Sequence, residues 1–390
     1  MFARGARLYH HCVHRSGPSA SRALTACAFF MFAGAAGLHG AVAATTSYDV
    51  GDQSIVRLFV RSATVTIKTW ERNTVAIEWT DGDPIVPFKG TQLVASATVP
   101  ILAQQVREFL TAAGPVNVTL PPEDFPISGF ALGLHDIVRV QEVPPPAGID
   151  RAPTELSHVT LTVPASTRVL ELRVGRGDVT LSDYHGTTIA FTNAQTTVNF
   201  VRVGGDAFVQ PLNGHFYAVD SNFNRLRVRS NHADLVFERC HIREVEATSL
   251  TGNIVYDNGT FETGLAHFES DRGNVALWIS SAATVSGHTQ DGHVFSMQNG
   301  RAPASSTNDA NATFGTGGPS VSASSTHRNV FFYDGSIADR RPLTLVAPWR
   351  SVYAALMSKR RATVGNAAMP KPPPALSPAG RPIDRRPRLR

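Results

Sequence analysis

The sequence predicts an all-β fold, a β-solenoid with turns of about nineteen residues, and three observations indicate it. Between Leu161 and Ser296, pairs of the form apolar-x-apolar recur every nine or ten residues, with one longer step of twelve. The alternation inside each pair is typical of a short strand with one buried face. Every second pair follows a corner dipeptide such as Gly-Asn, Gly-Asp or Gly-His, and glycine reaches the positive φ that tight corners need.

Residues 1–43 are predicted to be a secretory signal peptide that is cut after Ala43. The segment has no acidic residue, an apolar run at 23–38, and arginines at positions 4, 7, 15 and 22. The same composition is typical of a mitochondrial presequence, and an uncleaved membrane anchor is a third interpretation. We therefore expect a secreted or cell envelope (periplasmic) protein, with mitochondria as the alternative location.

Residues 45–82 are predicted to form the first solenoid strands, and the pair pattern then stops over residues 83–158. The early pairs are Leu58/Val60, Val65/Ile67 and Val75/Ile77. Within 83–158, apolar spacing predicts a helix at 101–113, and the prolines that follow predict loops. A helix and loop insertion of this length is expected to be a cap on the solenoid end or a functional loop.

Residues 159–300 are predicted to be the solenoid core, because the pairs continue through them almost without slip. The pairs expected to face inward are Leu161/Val163, Leu170/Leu172, Val179/Leu181, Ile189/Phe191, Val198/Phe200, Ala207/Val209, Phe216/Ala218, Leu226/Val228, Leu235/Phe237, Val245/Ala247, Ile254/Tyr256, Ala266/Phe268, Val275/Leu277, Val285/Gly287 and Val294/Ser296. A β-sandwich or meander with evenly spaced strands is the competing fold.

Three of these strands begin with the same short signature. It reads Gly-Asp-Val-Thr-Leu at 177–181, Gly-Asn-Ile-Val-Tyr at 252–256 and Gly-Asn-Val-Ala-Leu at 273–277. The signature resembles the repeat of the DUF4097 family of adhesin-like proteins, and the strands near Leu58 and Val65 are similar to the start of that family. The resemblance implies a secreted or envelope β-solenoid with no established catalytic site. Residues 83–158 and the C-terminal tail depart from the family pattern.

The residues between the inward pairs point outward, and they form two different rows. One row is Glu171, Ala190, Phe208, Arg227, Glu246, His267 and Ser286, which is typical of a solvated face. The other is Thr180, Asn199, Tyr217, Val236, Val255, Ala276 and Phe295, which becomes apolar toward the C-terminus. Contiguous apolar surface is normally covered, either by the insertion or residues 330–333, or by a partner. Tyr217, Val236, Val255 and Phe295 are therefore candidate ligand-binding residues.

The corner residues before alternate strands are expected to stack along one edge of the solenoid. They are Asp178, Thr197, His215, Asp234, Asn253, Asn274 and His293. His215 and Asp234 would lie about one strand spacing apart, close enough to share a metal or a sugar hydroxyl. Corners favour Asp and Asn for backbone reasons, and a metal site needs three or four donors. His215 and Asp234 are therefore candidate ligand-binding residues, and no metal is predicted.

The C-terminal quarter is predicted to change character twice. Residues 301–329 are predicted to be a low-complexity linker, and residues 330–350 a terminal strand or cap. Residues 351–390 are predicted to be a disordered, basic, proline-rich tail; from position 340 onward the net charge is +11. The candidate polyanion-binding residues are Arg360, Arg361, Arg385, Arg386, Arg388 and Arg390. Expected partners are an anionic membrane surface and an envelope or surface polymer or protein.

Common catalytic motifs are missing from the sequence. It has no phosphate-binding Gly-rich loop with its lysine, no His-Glu-x-x-His, no Cys-x-x-Cys and no nucleophile elbow. Beyond residue 44 only Cys240 remains, and it is expected to be a partly buried filler. We therefore predict a non-catalytic extracytoplasmic binding or scaffold protein without a cofactor. The alternatives are a polysaccharide-acting β-solenoid enzyme and a mitochondrial solenoid protein.

Overall fold

A computed structural model describes residues 44–80, 85–94, 127, 129–142, 156–262, 264–297 and 307–336. The chain divides into two units, 1–40 and 41–390, and all the described residues lie in the second. The predicted signal peptide, the predicted helix at 101–113 and the predicted tail at 351–390 lie outside the described residues. The described part of the chain holds no helix that could span a membrane.

The described residues form twenty β-strands and no helix, which confirms the predicted all-β class for this part of the chain. In chain order, β1 to β20 are Ala44–Asp49, Ile55–Trp70, Thr74–Thr80, Ile85–Val94, Gly133–Glu142, Ser157–Pro164, Val169–Ser182, Thr187–Val201, Gly204–Val219, Asn222–Ser230, Asp234–Glu238, His241–Ser249, Ile254–Phe261, Ala266–Ser270, Val275–Ile279, Ala283–Thr289, Val294–Met297, Asp309–Phe314, Ser320–Ser325 and Val330–Asp334.

The strands stack as two parallel ladders, the arrangement of a β-solenoid with two strands per turn. Ladder A contains, in spatial order, β5, the first halves of β2, β7, β8 and β9, and then β10, β12, β14, β19 and β16. Ladder B contains β6, the second halves of β2, β7, β8 and β9, and then β11, β13, β15, β20 and β17.

The core lies between the two ladders and is filled by the predicted inward pairs, with one correction. Leu170 pairs with Thr188 and Leu172 with Ala190, so Thr188 and Ala190 face the core where Ile189 and Phe191 were predicted. Because side chains alternate along a strand, this one-residue slip turns Ile189 outward. Ile189 is nevertheless buried, in a separate apolar cluster on the outer side of ladder A.

The predicted insertion at 83–158 contributes strands to the N-terminal end of the solenoid. β5 pairs in parallel with β2 in ladder A, and β6 does so in ladder B. β4 pairs antiparallel with β5, β3 with β6, and β1 with β3. The long strand β2 therefore has β7 on one side and the turn formed by β5 and β6 on the other, although β5 and β6 follow it in sequence. The described strands of the insertion are therefore part of the end of the solenoid.

The C-terminal end corrects two predictions. Residues 301–329 were predicted to be a linker, yet they contain β18 and β19. Val330 was predicted to begin a terminal strand, yet its strand, β20, is internal, between β15 and β17. The Ser-rich segment fits the ladder because its alternate residues Val321 and Ala323 are small enough to fill the core beside Phe268.

One corner is built from residues in the left-handed conformation. Asp183, Arg202, Asp220, Arg239 and Asn258 have φ values of 58°, 54°, 51°, 50° and 56°. Aspartate and asparagine tolerate this conformation, whereas arginine does so at a cost of ~1–2 kcal/mol. Both arginines pair with the aspartate of the preceding turn, at 2.6 Å in each case. The alternating charges therefore stabilise the corner between neighbouring turns.

Candidate ligand-binding surfaces

An apolar row runs along the outer side of ladder B. Its central column, in spatial order, is Tyr217, Val236, Val255, Ala276, Phe331 and Phe295. Trp278 and Tyr333 pair with each other two residues further along β15 and β20. We use the name apolar row for these eight residues. The structure thus brings the candidates Tyr217, Val236, Val255 and Phe295 into one column.

Sequence reasoning missed Trp278, Phe331 and Tyr333 as members of the apolar row. Residues 330–333 were one of the segments expected to lie over the row, and the structure corrects this, because β20 lies within ladder B. The aromatic rings pack on their neighbours: Phe295 stacks on Phe331 with centroids 5.1 Å apart, and Trp278 contacts Tyr333 at 5.4 Å. The signal was available, since Val330 and Phe332 alternate with Phe331 and Tyr333 as in any strand of the repeat.

The apolar row is buried in the folded chain, although it faces away from the core. Seven of its members are 0–4% exposed, and only Phe295, on the outermost strand of ladder B, is half-buried. Burial raises the pKa of Tyr217, and the nearby Asp234 carboxylate adds to the increase. The row is therefore a covered surface that is accessible at its Phe295 end.

His215 and Asp234 lie at the polar margin of the apolar row. Asp234 Oδ2 is 3.6 Å from His215 Nδ1, and the imidazole stacks on the Tyr217 ring with centroids 5.8 Å apart. Asp234 Oδ1 accepts hydrogen bonds from the backbone N–H and the side-chain amide of Asn253, at 2.7 and 3.1 Å. His215 and Asp234 are close together, as predicted, but one carboxylate oxygen of Asp234 is already used in the hydrogen bonds of the corner.

The corner row continues this hydrogen bonding from turn to turn. Asn253 Oδ1 accepts the backbone N–H of Asn274 at 3.0 Å, and Asn274 Oδ1 accepts that of Asn329 at 3.2 Å. Asn329 Oδ1 accepts the backbone N–H of His293 at 3.0 Å. Asn274 and His293 were expected to be neighbours, but Asn329 lies between them. Among the described residues, no group of three His, Cys, Asp or Glu residues is placed to hold a metal ion.

A buried charged cluster lies on the outer side of ladder A near its N-terminal end. Arg139, Arg57 and Glu171 occupy the same position on β5, β2 and β7, and Arg173 lies two residues beyond Glu171. Arg57 and Glu171 are each 1% exposed, with Nε and Oε2 2.7 Å apart. The prediction that Glu171 lies on a solvated face is therefore wrong. We name these four residues the arginine cluster.

The insertion explains why this face is buried. Val94, Ile127 and Phe130, all from residues 83–158, pack with Ile189 and Phe208 on the outer side of ladder A. The sequence carried a signal for this, because the continuous run Ile55-Val56-Arg57-Leu58-Phe59-Val60 is typical of a strand buried on both faces. The described part of the insertion therefore packs on the outer side of ladder A, whereas the apolar row lies on ladder B.

The C-terminal half of the same face is solvated, as predicted. Its residues form ion pairs between neighbouring strands, with Arg225 3.0 Å from Glu244 and Arg229 2.8 Å from Glu246. His267 Nδ1 lies 2.8 Å from the Ser322 hydroxyl. These groups are half-exposed, so each pair adds at most ~1 kcal/mol to stability.

Comparisons with known proteins identify the repeat. Residues 149–330 match the model of the family described as Toastrack DUF4097. A putative cell adhesion protein from Clostridium sporogenes ATCC 15579 is 7% identical, with 76% of this chain and 100% of that chain covered and a TM-score of 0.24. A putative lipid binding protein from Parabacteroides distasonis ATCC 8503 is 9% identical, with 75% and 96% covered and a TM-score of 0.36. No curated protein matches the chain. The resemblance predicted from the repeat signature is confirmed: residues 149–330, which contain β6 to β19, match the DUF4097 family model.

Proposed function

We propose that this protein is a non-catalytic, extracytoplasmic β-solenoid that binds or scaffolds a surface polymer, as an adhesin does. The match of residues 149–330 to the DUF4097 family model fits a binding or scaffold role. The observation that carries the proposal is the accessible end of the apolar row, where the half-buried Phe295 ring stacks on Phe331 on the outer side of ladder B. The other seven members are already covered in the folded chain, so the Phe295 end is the part of the row that a partner can contact.

Contact with the polymer begins at Phe295. This residue lies on β17, the outermost strand of ladder B, and its ring continues the aromatic stack of Phe331 and Tyr333. Aromatic side chains provide large contact areas at a low cost in conformational entropy. At the other end of the apolar row, the imidazole of His215 and the Oδ2 atom of Asp234 supply polar groups that can hydrogen-bond to hydroxyls.

Retention on immobilised glycans tests the proposal. The purified full-length chain is passed over a panel of immobilised polysaccharides, and both retention and release of reducing ends are measured. We expect retention without release, and an at least tenfold loss of retention for Phe295→Asp. Ser286→Asp is the matched control, because Ser286 is an exposed outward residue of β16 in the neighbouring ladder of the same end. Equal retention by both variants would remove the apolar row from the binding surface.

The same assay separates the binding protein from a polysaccharide-acting enzyme. Asp234 is the carboxylate of the corner row that lies beside a histidine, so it is the residue to change. Asp234→Asn keeps the acceptor for the Asn253 backbone N–H and removes the charge. Release of reducing ends by the unmodified chain that is lost in this variant would replace our proposal with the enzymatic one.

The extracytoplasmic location is part of the proposal. The described fold begins with β1 at Ala44, so cleavage of a signal peptide after Ala43 would remove none of the described strands. Mass spectrometry of the N-terminus of the native protein tests this. A start at Ala44 supports export, a cut near Arg15 or Arg22 indicates a mitochondrial presequence, and an intact Met1 indicates an anchored protein.

The basic C-terminal residues supply a second, electrostatic contact in this proposal. Arg360, Arg361, Arg385, Arg386, Arg388 and Arg390 lie outside the described residues. Cationic segments of this kind are attracted to anionic membranes and polymers, and the attraction weakens with salt. They would hold the protein near an anionic surface while the solenoid makes the specific contact.

A further inference from the structure

We propose that the apolar row is the docking face for residues 348–358 of the same chain, a segment that lies outside the described residues. The segment covers the row from Tyr217 to Tyr333 and leaves the Phe295 end accessible. This contact is within one molecule, so it does not depend on the polymer binding proposed above.

Stacking of turns alone does not bury an outward side chain of this solenoid. Glu246 and His267 point outward from neighbouring strands of ladder A, and each side chain is 32% exposed. Val255 and Ala276 point outward from ladder B in the same two turns, yet they are only 1% and 2% exposed. Contiguous apolar surface of this kind is normally covered. Additional chain therefore lies on the apolar row.

The described residues do not supply this cover. On the outer side of ladder A, the buried cluster includes Val94, Ile127 and Phe130, which come from the insertion. The cluster of the apolar row, in contrast, consists of outward residues of ladder B. No described strand from outside the two ladders packs extensively on β11, β13, β15 or β20. Because these exposures are those of the single folded chain, the cover is a part of this chain beyond the described ranges.

The position of residues 337–358 in the chain places them near the row. They follow β20, which is itself a strand of the row. Residues 337–347 can extend over up to about 36 Å, whereas the five strands from β9 to β20 span about 19 Å. The other undescribed segment at this end, residues 298–306, contains no large apolar side chain.

The sequence of residues 348–358 has the apolar spacing of an amphipathic helix. Its large apolar residues are Trp349, Val352, Tyr353, Leu356 and Met357, at intervals of three and four. The segment begins with a proline, which suits the first turn of a helix. A helix with one apolar face has to bury it against another element. Eleven helical residues are about 17 Å long, which is close to the length of the row from β9 to β20.

Docking of residues 348–358 limits access to the apolar row. Phe295 lies on β17, beyond β20, and it is the member of the row that remains half-buried. Lys359, Arg360 and Arg361 follow the segment directly, so docking also fixes the start of the basic residues on the solenoid. Release of the segment exposes the rest of the row, and the contact therefore acts as an autoinhibitory cover.

Cysteine labelling in the full-length chain tests the contact. Ala276→Cys places a thiol at the centre of the row, where iodoacetamide should label it much more slowly than at Ser286→Cys, an exposed outward position of ladder A. Adding Trp349→Asp and Leu356→Asp removes the apolar face of the segment, so labelling at position 276 should become at least about tenfold faster. Peptide mapping by mass spectrometry assigns each label, and the buried Cys240 reports whether the core stays folded.

Two further variants and a dilution series make the result decisive. Ala354→Asp changes the polar side of the predicted helix and should leave position 276 protected, whereas the milder Val352→Asp should expose it. Protection that survives both changes to the apolar face, or that is lost in both together with the protection of Cys240, would overturn the proposal. Protection lost in Phe109→Asp instead would assign the cover to the insertion. Protection that falls on dilution of the unmodified segment would assign it to a second copy of the chain.

Discussion

At the scale of single residues, Cys240 shows how burial decides chemistry. The thiol is 1% exposed, and its Sγ lies 3.3 Å from the Ala218 carbonyl oxygen and 3.5 Å from that of Glu238. Burial raises the pKa of this thiol to about 12. The reactive species is the thiolate, so Cys240 serves as a small apolar filler, as predicted, although it is fully and not partly buried.

We predict that Cys240 is unreactive in the folded protein at pH 8 and reacts within minutes after unfolding in guanidinium chloride. Iodoacetamide labelling with peptide mapping by mass spectrometry measures this. Burial raises the pKa of the folded thiol above its ordinary value of 9.0, so the stability from burying the neutral thiol is present below pH 9 and is lost as pH rises toward 12. Each pH unit in that window costs up to ~1.4 kcal/mol. Labelling of the folded chain at the unfolded rate would contradict this prediction.

Glu171 and Ile189 mark the limit of residue-level prediction from the sequence. The alternation rule placed Glu171 outward correctly, but whether an outward residue is solvated depends on what covers it. Here the cover is Val94, Ile127 and Phe130, which belong to a segment without the repeat pattern. The register of Ile189 was equally ambiguous, because Thr188 and Ala190 form the inward pair although they are less apolar than Ile189 and Phe191.

At the scale of strands and corners, buried hydroxyls connect the turns. In the corner that ends ladder A, each hydroxyl oxygen accepts the backbone N–H three residues later and most also donate to a carbonyl of the neighbouring turn. The residues are, in spatial order, Ser230, Ser249, Ser270, Ser325 and Thr289. The signal was present in the sequence, because Ser249, Ser270 and Thr289 precede Gly252, Gly273 and Gly292 by three residues.

We predict that Ser270→Ala lowers the free energy of unfolding by about 2–4 kcal/mol. Ser270 is fully buried, its Oγ accepts the Gly273 N–H at 2.9 Å, and it donates to the Gly252 carbonyl at 2.8 Å. The substitution leaves both buried groups without a partner, and each costs about 1–3 kcal/mol. Chemical denaturation measures the loss.

Ser324→Ala is the control for this prediction. Ser324 lies on β19, the strand that pairs with the strand of Ser270, and its side chain is half-exposed. A surface substitution of this kind changes the stability by less than about 0.5 kcal/mol. If both variants lost the same free energy, the corner hydroxyls would not stabilise the stacking of turns.

At the scale of the whole described fold, the order of turns in space differs from their order in the chain. From β7 to β15 the two orders agree, which is why the periodicity predicted this part of the solenoid. At one end β2 lies between the β5–β6 turn and β7. At the other end the β19–β20 turn lies between β14–β15 and β16–β17. Periodicity gives the length of a turn but not its neighbours, so it could not predict either displacement.

Phe332 lies in the displaced C-terminal turn, which is formed by β19 and β20. Its backbone pairs with Leu277 on one side and Ser296 on the other, and its side chain is fully buried. Gly287 leaves the space that the ring fills, since a Cβ there would lie 2.5 Å from Phe332 Cε1. The aromatic ring therefore joins β20 to the outermost turn, and β16 and β17 stack on β19 and β20 instead of on β14 and β15.

We predict that Phe332→Ala in the full-length chain lowers the free energy of unfolding by about 3–5 kcal/mol, because it removes a fully buried ring from an internal turn. Amide hydrogen exchange should show loss of protection in β16 and β17 as well as in β20, since the outermost strands depend on the turn beneath them. Phe295→Ala, in the half-buried outermost position, should cost less than about 2 kcal/mol and leave β20 protected. If the loss of protection were confined to β20, then β16 and β17 would be stable without it. That result would favour the sequence prediction that the strand at Val330 is terminal, and it would contradict an internal β20.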